Sequence, residues 1–253
     1  MGEMSQITIC GIRIDNVTMA ESVTRISEMV ERRKPSYVVT PNADHIIKLQ
    51  KDPEFREVYE KADLVLADGM SLLWAGLFLG KPFAQKVSGS DLMPEFCRHA
   101  AHKGYKLFFL GGRDGAAVGA KAALEKRYPG IRVVGTYSPP MGFEKNAEEG
   151  KKIEAMIRES APDVLFVGLG APKQEKWVYR NYQVLGVPVS IGIGVTFEFM
   201  AGMVRRAPLW MQYSGLEWLW RLLMEPARLW RRYLVDDPKF FWLVLKQKMG
   251  RFK

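Results

Sequence analysis

Short apolar runs alternate with amphipathic runs from about residue 37 to residue 193, and this alternation restricts the fold more than any other feature. The apolar runs have the length of buried strands and cover residues 37–40, 63–67, 106–110, 131–134, 164–167 and 187–193. Helical patterns precede the first run, at residues 18–33, and separate the later runs, from Asp52-Pro53 onward and at 91–103, 116–127, 146–160 and 172–182. This alternation predicts an α/β fold with a mainly parallel, Rossmann-like sheet and helices on both faces.

The alternation stops after about Met200, and the rest of the chain has a helical pattern that is interrupted at prolines. Ser214 and Glu217 have the spacing of a capping box, which predicts a helix that begins at Ser214. Pro226 and the Asp237-Pro238 pair predict two further helix starts. We therefore expect an α/β domain over residues 1–200 and a helical appendage over residues 201–253.

The appendage is strongly basic and rich in tryptophan. Residues 202–253 contain eleven Lys and Arg against four Asp and Glu, a net charge of +7 in a chain whose total is +9, and five of the seven tryptophans. Cations among aromatic and leucine side chains are typical of helices that lie on an anionic membrane surface. A helical cap on the core with solvated arginines remains an alternative. A nucleic-acid patch is less favoured, because no groove-reading or base-stacking motif accompanies the aromatic residues.

Other features of the sequence indicate a cytoplasmic protein. Cys10 and Cys97 are far apart and lack a metal-binding or redox spacing, as expected for buried thiols in a reducing compartment. The N-terminal segment has neither the basic nor the apolar region of a signal peptide. The longest charge-free apolar stretch, residues 69–80, is too short to cross a bilayer. We expect a peripheral protein on the inner face of the membrane, with self-association left open.

Polar residues and glycines follow the predicted strands, where open parallel sheets bind their ligands. The residues at these strand ends are Thr40, Asn42, Asp68, Gly111, Gly112, Gly170, Lys173, Gln174 and Glu198. Two glycine turns with free backbone N–H groups, together with a lysine, are suited to a phosphorylated ligand such as a nucleotide-sugar. Asp68 is the carboxylate best placed to act on a substrate hydroxyl.

Several of these residues also have a purely structural interpretation. Thr40 or Asn42 could cap a helix, and Asp68 before Gly69 could form a turn or an N-cap. The glycines lack the GxGxxG spacing of a nicotinamide site, and neither a P-loop nor an HExxH motif occurs. Three histidines without clustered carboxylates make a metal centre unexpected, so we predict no metal and no cofactor.

Many separate blocks, in order and spacing, resemble the WecG/TagA/CpsF family of bacterial glycosyltransferases, most of all its N-acetylmannosaminyl-transferring members. The similarity runs from about residue 7 to residue 240. It is carried by TPN at 40–42, ADG at 67–69, VSGSDL at 87–92, FLGG at 109–112, YPG at 128–130, PPMGF at 139–143, the run at 162–175, RAP at 206–208, GLEW at 215–218 and RLxxEPxRLWRRY at 221–233.

The resemblance implies a metal-independent, inverting transfer of an N-acetylmannosamine-type sugar from a UDP-sugar donor. The implied acceptor is undecaprenyl-diphosphate-linked N-acetylglucosamine, and the implied product is a linkage unit of wall teichoic acid or a related surface polysaccharide. By the same resemblance Asp68 is the base and Glu198 lies near the uridine. The residues that line the sugar pocket are implied to be Thr40, Asn42 and Gln174. The arginines that bind the donor diphosphate are implied to be Arg221, Arg228 and Arg231.

Two positions depart from the family pattern. Lys86 stands where the family usually has Arg, so a phosphate contact there keeps its charge but loses the bidentate fork. Glu198 stands where the family often has Asp, which lengthens the arm that carries the carboxylate. Three alternatives remain open: a UDP-N-acetylmannosaminuronic acid or UDP-glucose-type donor, a membrane-tethered nucleotide-binding module without catalysis, and a nucleic-acid-binding protein.

Overall fold

A computed structural model describes residues 5–252 of the chain. Residues 1–4 and Lys253 lie outside the described residues. Residues 1–4 begin the segment in which we predict no signal peptide, and Lys253 ends the predicted appendage. The chain forms two compact units. The first unit contains the chain up to Thr18, the segment Thr40–Val87 and the chain from Arg205 onward; the second contains Met19–Val39 and Ser88–Val204. The sequence-based division into residues 1–200 and 201–253 stays a prediction.

In chain order, the strands are β1 (Gln6–Ile9), β2 (Ile12–Asp15), β3 (Ser36–Val39), β4 (Leu64–Val65), β5 (Lys106–Gly111), β6 (Arg132–Tyr137), β7 (Val164–Gly168) and β8 (Val189–Gly192). The helices are α1 (Met19–Arg32), α2 (Ala43–Leu49), α3 (Pro53–Glu60), α4 (Met70–Phe78), α5 (Gly89–Lys103), α6 (Ala116–Arg127), α7 (Ala147–Ser160), α8 (Lys173–Leu185), α9 (Thr196–Met200), α10 (Leu209–Tyr213), α11 (Glu217–Met224), α12 (Pro226–Arg231) and α13 (Asp237–Lys248). A 3₁₀ turn covers Phe143–Lys145 and a π-helical turn covers Arg232–Asp236.

The second unit is built on a parallel sheet with the strand order β3-β8-β7-β5-β6. All five residues of β7 and all four of β8 are buried, as expected for central strands covered on both faces. Helices α1, α6, α7 and α8 contact these strands. The predicted α/β class with a parallel sheet and flanking helices is therefore confirmed.

The first unit joins the start, the middle and the end of the chain. Strands β1 and β2 form an antiparallel hairpin, and Asp15 Oδ2 accepts a hydrogen bond of 2.8 Å from Val65 N. Helix α13 packs on α2 and buries Phe240 completely. The side-chain amide of Gln247 on α13 makes two hydrogen bonds to the hairpin: Nε2 donates to Thr8 O, and Oε1 accepts from Cys10 N. Helix α13 is thus part of the core of this unit.

Two of the three helix starts that the sequence predicts in the C-terminal part are observed, and the third is not. Helix α12 begins at Pro226 and α13 at Asp237, as predicted. The predicted capping box at Ser214 is wrong, because α11 begins at Glu217 without a side-chain cap. Gly215 adopts a left-handed conformation with φ of 78°, which turns the chain after Ser214 and leaves that residue at the end of α10. No helix within residues 5–252 has both the length and the apolar character that crossing a membrane requires.

Candidate active site

Two backbone hydrogen bonds in the first unit hold three predicted site segments side by side. The N–H of Asp68 donates to Pro41 O at 2.9 Å, and the N–H of Val87 donates to Ala67 O at 2.8 Å. The segments after residue 39, at residues 67–69 and at residues 86–87 therefore meet at the end of β4. This arrangement places the backbone of Asp68 beside the segments that carry Thr40, Asn42 and Lys86.

The chain changes direction immediately after Asp68. Asp68 is half-buried, and the next residue, Gly69, has φ of 98° and ψ of 150°. This region of backbone conformation is open essentially only to glycine. Helix α4 then begins at Met70, with Gly69 at its N-cap and no side-chain cap. Asp68 is therefore one residue outside the cap position, and its backbone orientation depends on the glycine that follows.

Asn42 has both a structural role and an unexpected partner. It caps α2, because its Oδ1 accepts a hydrogen bond of 3.2 Å from His45 N. The same oxygen accepts from Arg232 Nη2 at 3.3 Å, while Arg232 Nε lies 3.8 Å from Asp44 Oδ2. Both bonds use the side-chain carbonyl oxygen of Asn42, and this fixes the orientation of the amide. The NH₂ group of the same amide is then the part that can donate a hydrogen bond to a ligand.

Arg232 contacts the candidate site residue Asn42, and the sequence analysis did not select it. The resemblance to the family implied the neighbouring Arg231 instead. The structure places Arg231 on the exposed surface and Arg232 in a partly buried position against Asn42. The four-residue spacing from Arg228 was the signal that could have identified it.

The predicted diphosphate-binding cations of this unit differ in their surroundings. Lys86 is mostly buried, with its Nζ 3.9 Å from Glu217 Oε2, and Arg206 lies 3.3 Å from the other oxygen of the same carboxylate. Arg228 is exposed and pairs with Glu225. Arg221 is half-buried in the last turn of α11. An anionic ligand at Lys86 or Arg228 would have to share the cation with a carboxylate.

Two titratable groups lie behind Asn42, where α2 and α13 meet: His45, which is buried, and Asp237, which is partly buried. The ring of His45 is buried, its Nδ1 is 2.7 Å from Tyr59 Oη, and desolvation lowers its pKa to about 3. Asp237, the first residue of α13, has a pKa raised to about 6, mainly by desolvation. Its Oδ1 is buried with no hydrogen-bond partner among residues 5–252. At neutral pH the imidazole is therefore neutral and the buried carboxylate is ionised.

In the second unit, the glycines after β5 and β7 allow two strands to end in close contact. Gly111 lies opposite Gly168 in the sheet, and the N–H of Gly112 donates to Gly168 O at 2.7 Å. A Cβ atom on Gly111 would lie 2.5 Å from Gly168 O, so packing alone requires glycine there. The expectation of a free N–H group is wrong for Gly112, because this group is already bonded within the sheet.

Glu198 on α9 presents a buried acceptor next to these glycines. Its Oε1 accepts a hydrogen bond of 3.0 Å from Arg113 N, and its Oε2 is buried without a hydrogen-bond partner in the described part of the chain. The neighbouring Phe197 is fully buried and packs against Gly112 and Gly168, which sets the position of α9. A buried carboxylate oxygen without a partner is suited to accept a hydrogen bond from a ligand.

The remaining predicted residues lie at the start of α8. Gln174 is buried, and its Oε1 accepts from Gly194 N at 3.0 Å while its Nε2 donates to Glu175 Oε1 at 2.8 Å. Lys173 is one third exposed, with its Nζ 3.5 Å from Glu144 Oε2, and Gly170 before it has φ of 75°. Within residues 5–252, no three His, Cys, Asp or Glu side chains are grouped in a way that could hold a metal ion.

Comparison with known proteins gives the family of the chain. The sequence model of the glycosyl transferase WecG/TagA/CpsF family matches residues 7–253. The chain belongs to the WecG/TagA/CpsF family. The resemblance read from the motif blocks is thereby confirmed, and the protein is a glycosyltransferase.

Two relatives in this family cover nearly the whole chain. A protein of Bacillus spizizenii strain W23 is 31% identical over 224 residues, which is 88% of this chain and 84% of that protein. A protein of Staphylococcus aureus strain MW2 is 30% identical over 247 residues, which is 96% of this chain and 94% of that protein. Both are named N-acetylglucosaminyldiphosphoundecaprenol N-acetyl-beta-D-mannosaminyltransferase.

Proposed function

We propose that this WecG/TagA/CpsF glycosyltransferase moves N-acetylmannosamine from UDP-N-acetylmannosamine to undecaprenyl-diphosphate-linked N-acetylglucosamine, with inversion at the anomeric carbon. The names of the two relatives supply the sugar and the acceptor. The observation that carries the proposal is the gathering of Asp68 with Thr40, Asn42 and Lys86 by two backbone hydrogen bonds. A carboxylate, two neutral polar groups and a cation form a suitable set for a sugar hydroxyl and a charged acceptor.

Asp68 acts as the general base in this proposal. A carboxylate held beside the acceptor hydroxyl can take its proton as the hydroxyl oxygen attacks. The oxygen of that hydroxyl then attacks the anomeric carbon from the face opposite UDP. The new glycosidic bond forms as the bond to the β-phosphate oxygen breaks, and UDP leaves with the bonding electrons. Attack from the opposite face gives the inverted anomer.

The leaving UDP carries negative charge, so its departure needs cations and hydrogen-bond donors. We assign the diphosphate to Lys86, Arg221, Arg228 and Arg231 of the first unit. In the second unit, Gly170 and Lys173 at the start of α8 stay sequence-based candidates for a phosphate contact. Among residues 5–252, Lys86, Arg228 and Lys173 each have a carboxylate neighbour. Before the donor binds, these carboxylates would keep the cations oriented. Phosphate oxygens of the donor would then replace the carboxylates as partners of the cations. Glu198 and Gln174 are assigned to the uridine and the sugar.

We assign the protein to the inner face of the cell membrane, bound there by its C-terminal helices. Large apolar side chains of these helices are exposed, among them Leu209, Trp210, Tyr213, Leu223, Trp230 and Trp242. Their net positive charge favours anionic headgroups, and the exposed apolar groups favour the acyl region. In this place the enzyme would extend a lipid-linked sugar toward wall teichoic acid or a related surface polysaccharide.

A donor screen tests the reaction. The full chain is incubated with a short-chain diphospho-N-acetylglucosamine lipid and, separately, with UDP-N-acetylmannosamine, its uronic acid, UDP-N-acetylglucosamine and UDP-glucose. We expect one added N-acetylhexosamine mass with the first donor, and NMR of the product should show the inverted anomer. Transfer from another donor alone would contradict the assigned sugar. UDP binding without transfer from any donor would indicate a nucleotide-binding module.

The role of Asp68 has a matched control on the same strand segment. Asp68→Asn should lower kcat by about 10²-fold or more, the range expected for loss of a general base, while UDP binding is retained. Asp63→Asn changes an exposed aspartate that precedes β4 and should leave kcat unchanged. Equal activity of the Asp68→Asn variant and the wild type would exclude this residue as the base.

A further inference from the structure

Helix α4, which begins two residues after Asp68, has no polar face. Its nine residues, Met70–Phe78, carry no charge, and Leu72, Ala75 and Gly76 are buried against the first unit. On the other side Trp74, Leu77 and Phe78 are 42%, 67% and 51% exposed. A surface helix of a soluble protein normally presents polar groups to solvent, and a helix that is apolar on all sides normally has a nonpolar environment around it. The exposed side of α4 therefore calls for an apolar partner.

The exposed side of α4 is continuous with the C-terminal helices of the same unit. A Cβ atom on Gly215, between α10 and α11, would lie 2.7 Å from Trp74 Cζ2, so the indole packs directly on this glycine. At the other end, Lys248 Nζ of α13 lies 5.7 Å from the centre of the Phe78 ring. The α4 side chains thus extend the exposed apolar surface of the C-terminal helices toward Asp68.

The charges around α4 identify the partner. No acidic residue occurs from Gly69 to Ser90, whereas Lys81 is exposed just after the helix and Lys248 stands beside Phe78. Three exposed apolar side chains with cations at their edge match an anionic bilayer, in which phosphate headgroups surround an apolar layer. A second copy of the chain would bring the same cations together, which disfavours a dimer at this surface.

We propose that α4 is a membrane-inserting element, and that Trp74, Leu77 and Phe78 enter the edge of the acyl layer of an anionic bilayer. The inference rests on the proposed function, in which the C-terminal helices bind the membrane. Helix α4 would make a second, separate contact with the same membrane. Leu77 lies about 10 Å along the helix from Met70, at roughly 1.5 Å per residue. Because Asp68 lies two residues before α4, the insertion would hold it close to the headgroup layer, where the diphosphate of a lipid-linked acceptor is found.

Vesicle binding tests the proposal on the full chain. Wild type and the double variant Leu77→Gln, Phe78→Gln are sedimented with vesicles of phosphatidylglycerol and phosphatidylcholine. Because both side chains are exposed, the variant should fold, and its partition to vesicles should fall by at least roughly tenfold. The matched control Val118→Gln, Val184→Gln replaces two equally exposed apolar residues on α6 and α8 and should bind like the wild type.

A label gives an independent measurement. Cys10 and Cys97 are fully buried, so a fluorescent thiol reagent on a Leu77→Cys variant reports residue 77. We expect its emission to be quenched by nitroxide lipids in anionic vesicles, and a label on a Lys61→Cys variant, beside the acidic end of α3, to remain unquenched. Unquenched emission at residue 77 would overturn the proposal.

The proposed function and this inference fail in different ways. Turnover of a water-soluble acceptor does not require a membrane, so its absence in the wild type would contradict the proposed function alone. Normal turnover together with unchanged vesicle binding of the Leu77→Gln, Phe78→Gln variant would overturn the role of α4 alone. A wild-type dimer without vesicles that the same variant converts to a monomer would make this surface a self-association interface and would also overturn the role of α4.

Discussion

The backbone of Gly69 controls the orientation of the proposed catalytic base. A Cβ atom would meet nothing within 4 Å at this position, so only the backbone conformation, with φ of 98°, requires glycine. Residues other than glycine in such conformations cost on the order of 1–3 kcal/mol each. Any other residue would therefore change the chain direction between Asp68 and α4 or remain strained.

We predict that Gly69→Ala reduces kcat for transfer by about tenfold or more and lowers the free energy of unfolding by about 1–3 kcal/mol. Gly80→Ala is the matched control, because Gly80 also has open space around its Cα and a positive φ of 76°. This control should lose stability but keep kcat, since Gly80 lies beyond the far end of α4. Steady-state kinetics and urea unfolding measure both effects. A Gly69→Ala enzyme with normal kcat would show that Asp68 is oriented by other contacts.

Single residues of the site differ in how far the sequence predicts them. Asn42 as a helix cap follows from local chemistry, because a short side-chain oxygen accepts from a nearby N–H. Its contact with Arg232 joins positions 190 residues apart, and no local pattern indicates such a pair. The burial of Gln174 is likewise a tertiary property. Motif blocks therefore predict which residues belong to the site, whereas their partners depend on the folded chain.

At the level of elements, the contact between α2 and α13 buries His45 and partly buries Asp237, and these two titratable groups have opposite effects on stability. The pKa of His45 is lowered to about 3, so on acidification the unfolded chain binds its proton first, and stability falls as pH drops below about 6.5. The pKa of Asp237 is raised to about 6, so the folded chain binds that proton first, and stability rises as pH drops toward about 4. Between about pH 4 and pH 6, the loss of stability that His45 causes on acidification opposes the gain that Asp237 causes.

We predict that Asp237→Asn makes the protein more stable at pH 7, by about 1–2 kcal/mol after allowance for partial exposure, and more sensitive to acid. The substitution removes a buried ionised carboxylate but leaves the effect of His45 uncompensated. Asp236→Asn is the control of opposite sign, because Lys239 at 2.6 Å holds the pKa of that exposed carboxyl below its usual range. Urea unfolding at pH 4.5 and pH 7 measures the change. Lower stability of Asp237→Asn at pH 7 would contradict the prediction.

The elements that the sequence predicts are those with a strong periodicity and ordinary end signals. The pattern for α6 gives its bounds, and the Asp52 cap of α3 is observed. The β1–β2 hairpin was missed because its turn uses Cys10 with φ of 49° before Gly11, where Asn or Asp is the usual signal. Helix α4 was interpreted only as an apolar stretch, because a helix without polar residues has no amphipathic period.

For the whole molecule, the end of the chain contributes to the core of the first unit. Phe240 is fully buried, while its neighbour Phe241 is 48% exposed. We predict that Phe240→Ala lowers the free energy of unfolding by about 3–5 kcal/mol, the range for a large aromatic residue in a core. Phe241→Ala provides the matched control and should cost less than about 1 kcal/mol. Similar unfolding curves for the two variants would show that α13 is not part of the folded core.

The same packing affects the interpretation of a truncated enzyme. Removal of the chain after residue 204 would delete Arg221, Arg228 and Arg231, but it would also delete Phe240 and the Gln247 bonds to the β1–β2 hairpin. Loss of turnover in such a protein would reflect an incomplete first unit as well as missing cations. Charge-removing substitutions at the three arginines separate these two effects.

The contact between Asn42 and Arg232 also has a consequence for biosynthesis. Ribosomes make proteins from the N-terminus, and Asn42 emerges long before Arg232. The amide that we assign to substrate therefore has only its local bond to His45 N until Arg232 has been synthesised. A polypeptide that ends before Arg232 would lack this contact, so the proposed substrate amide would be held only by its local cap bond to His45 N.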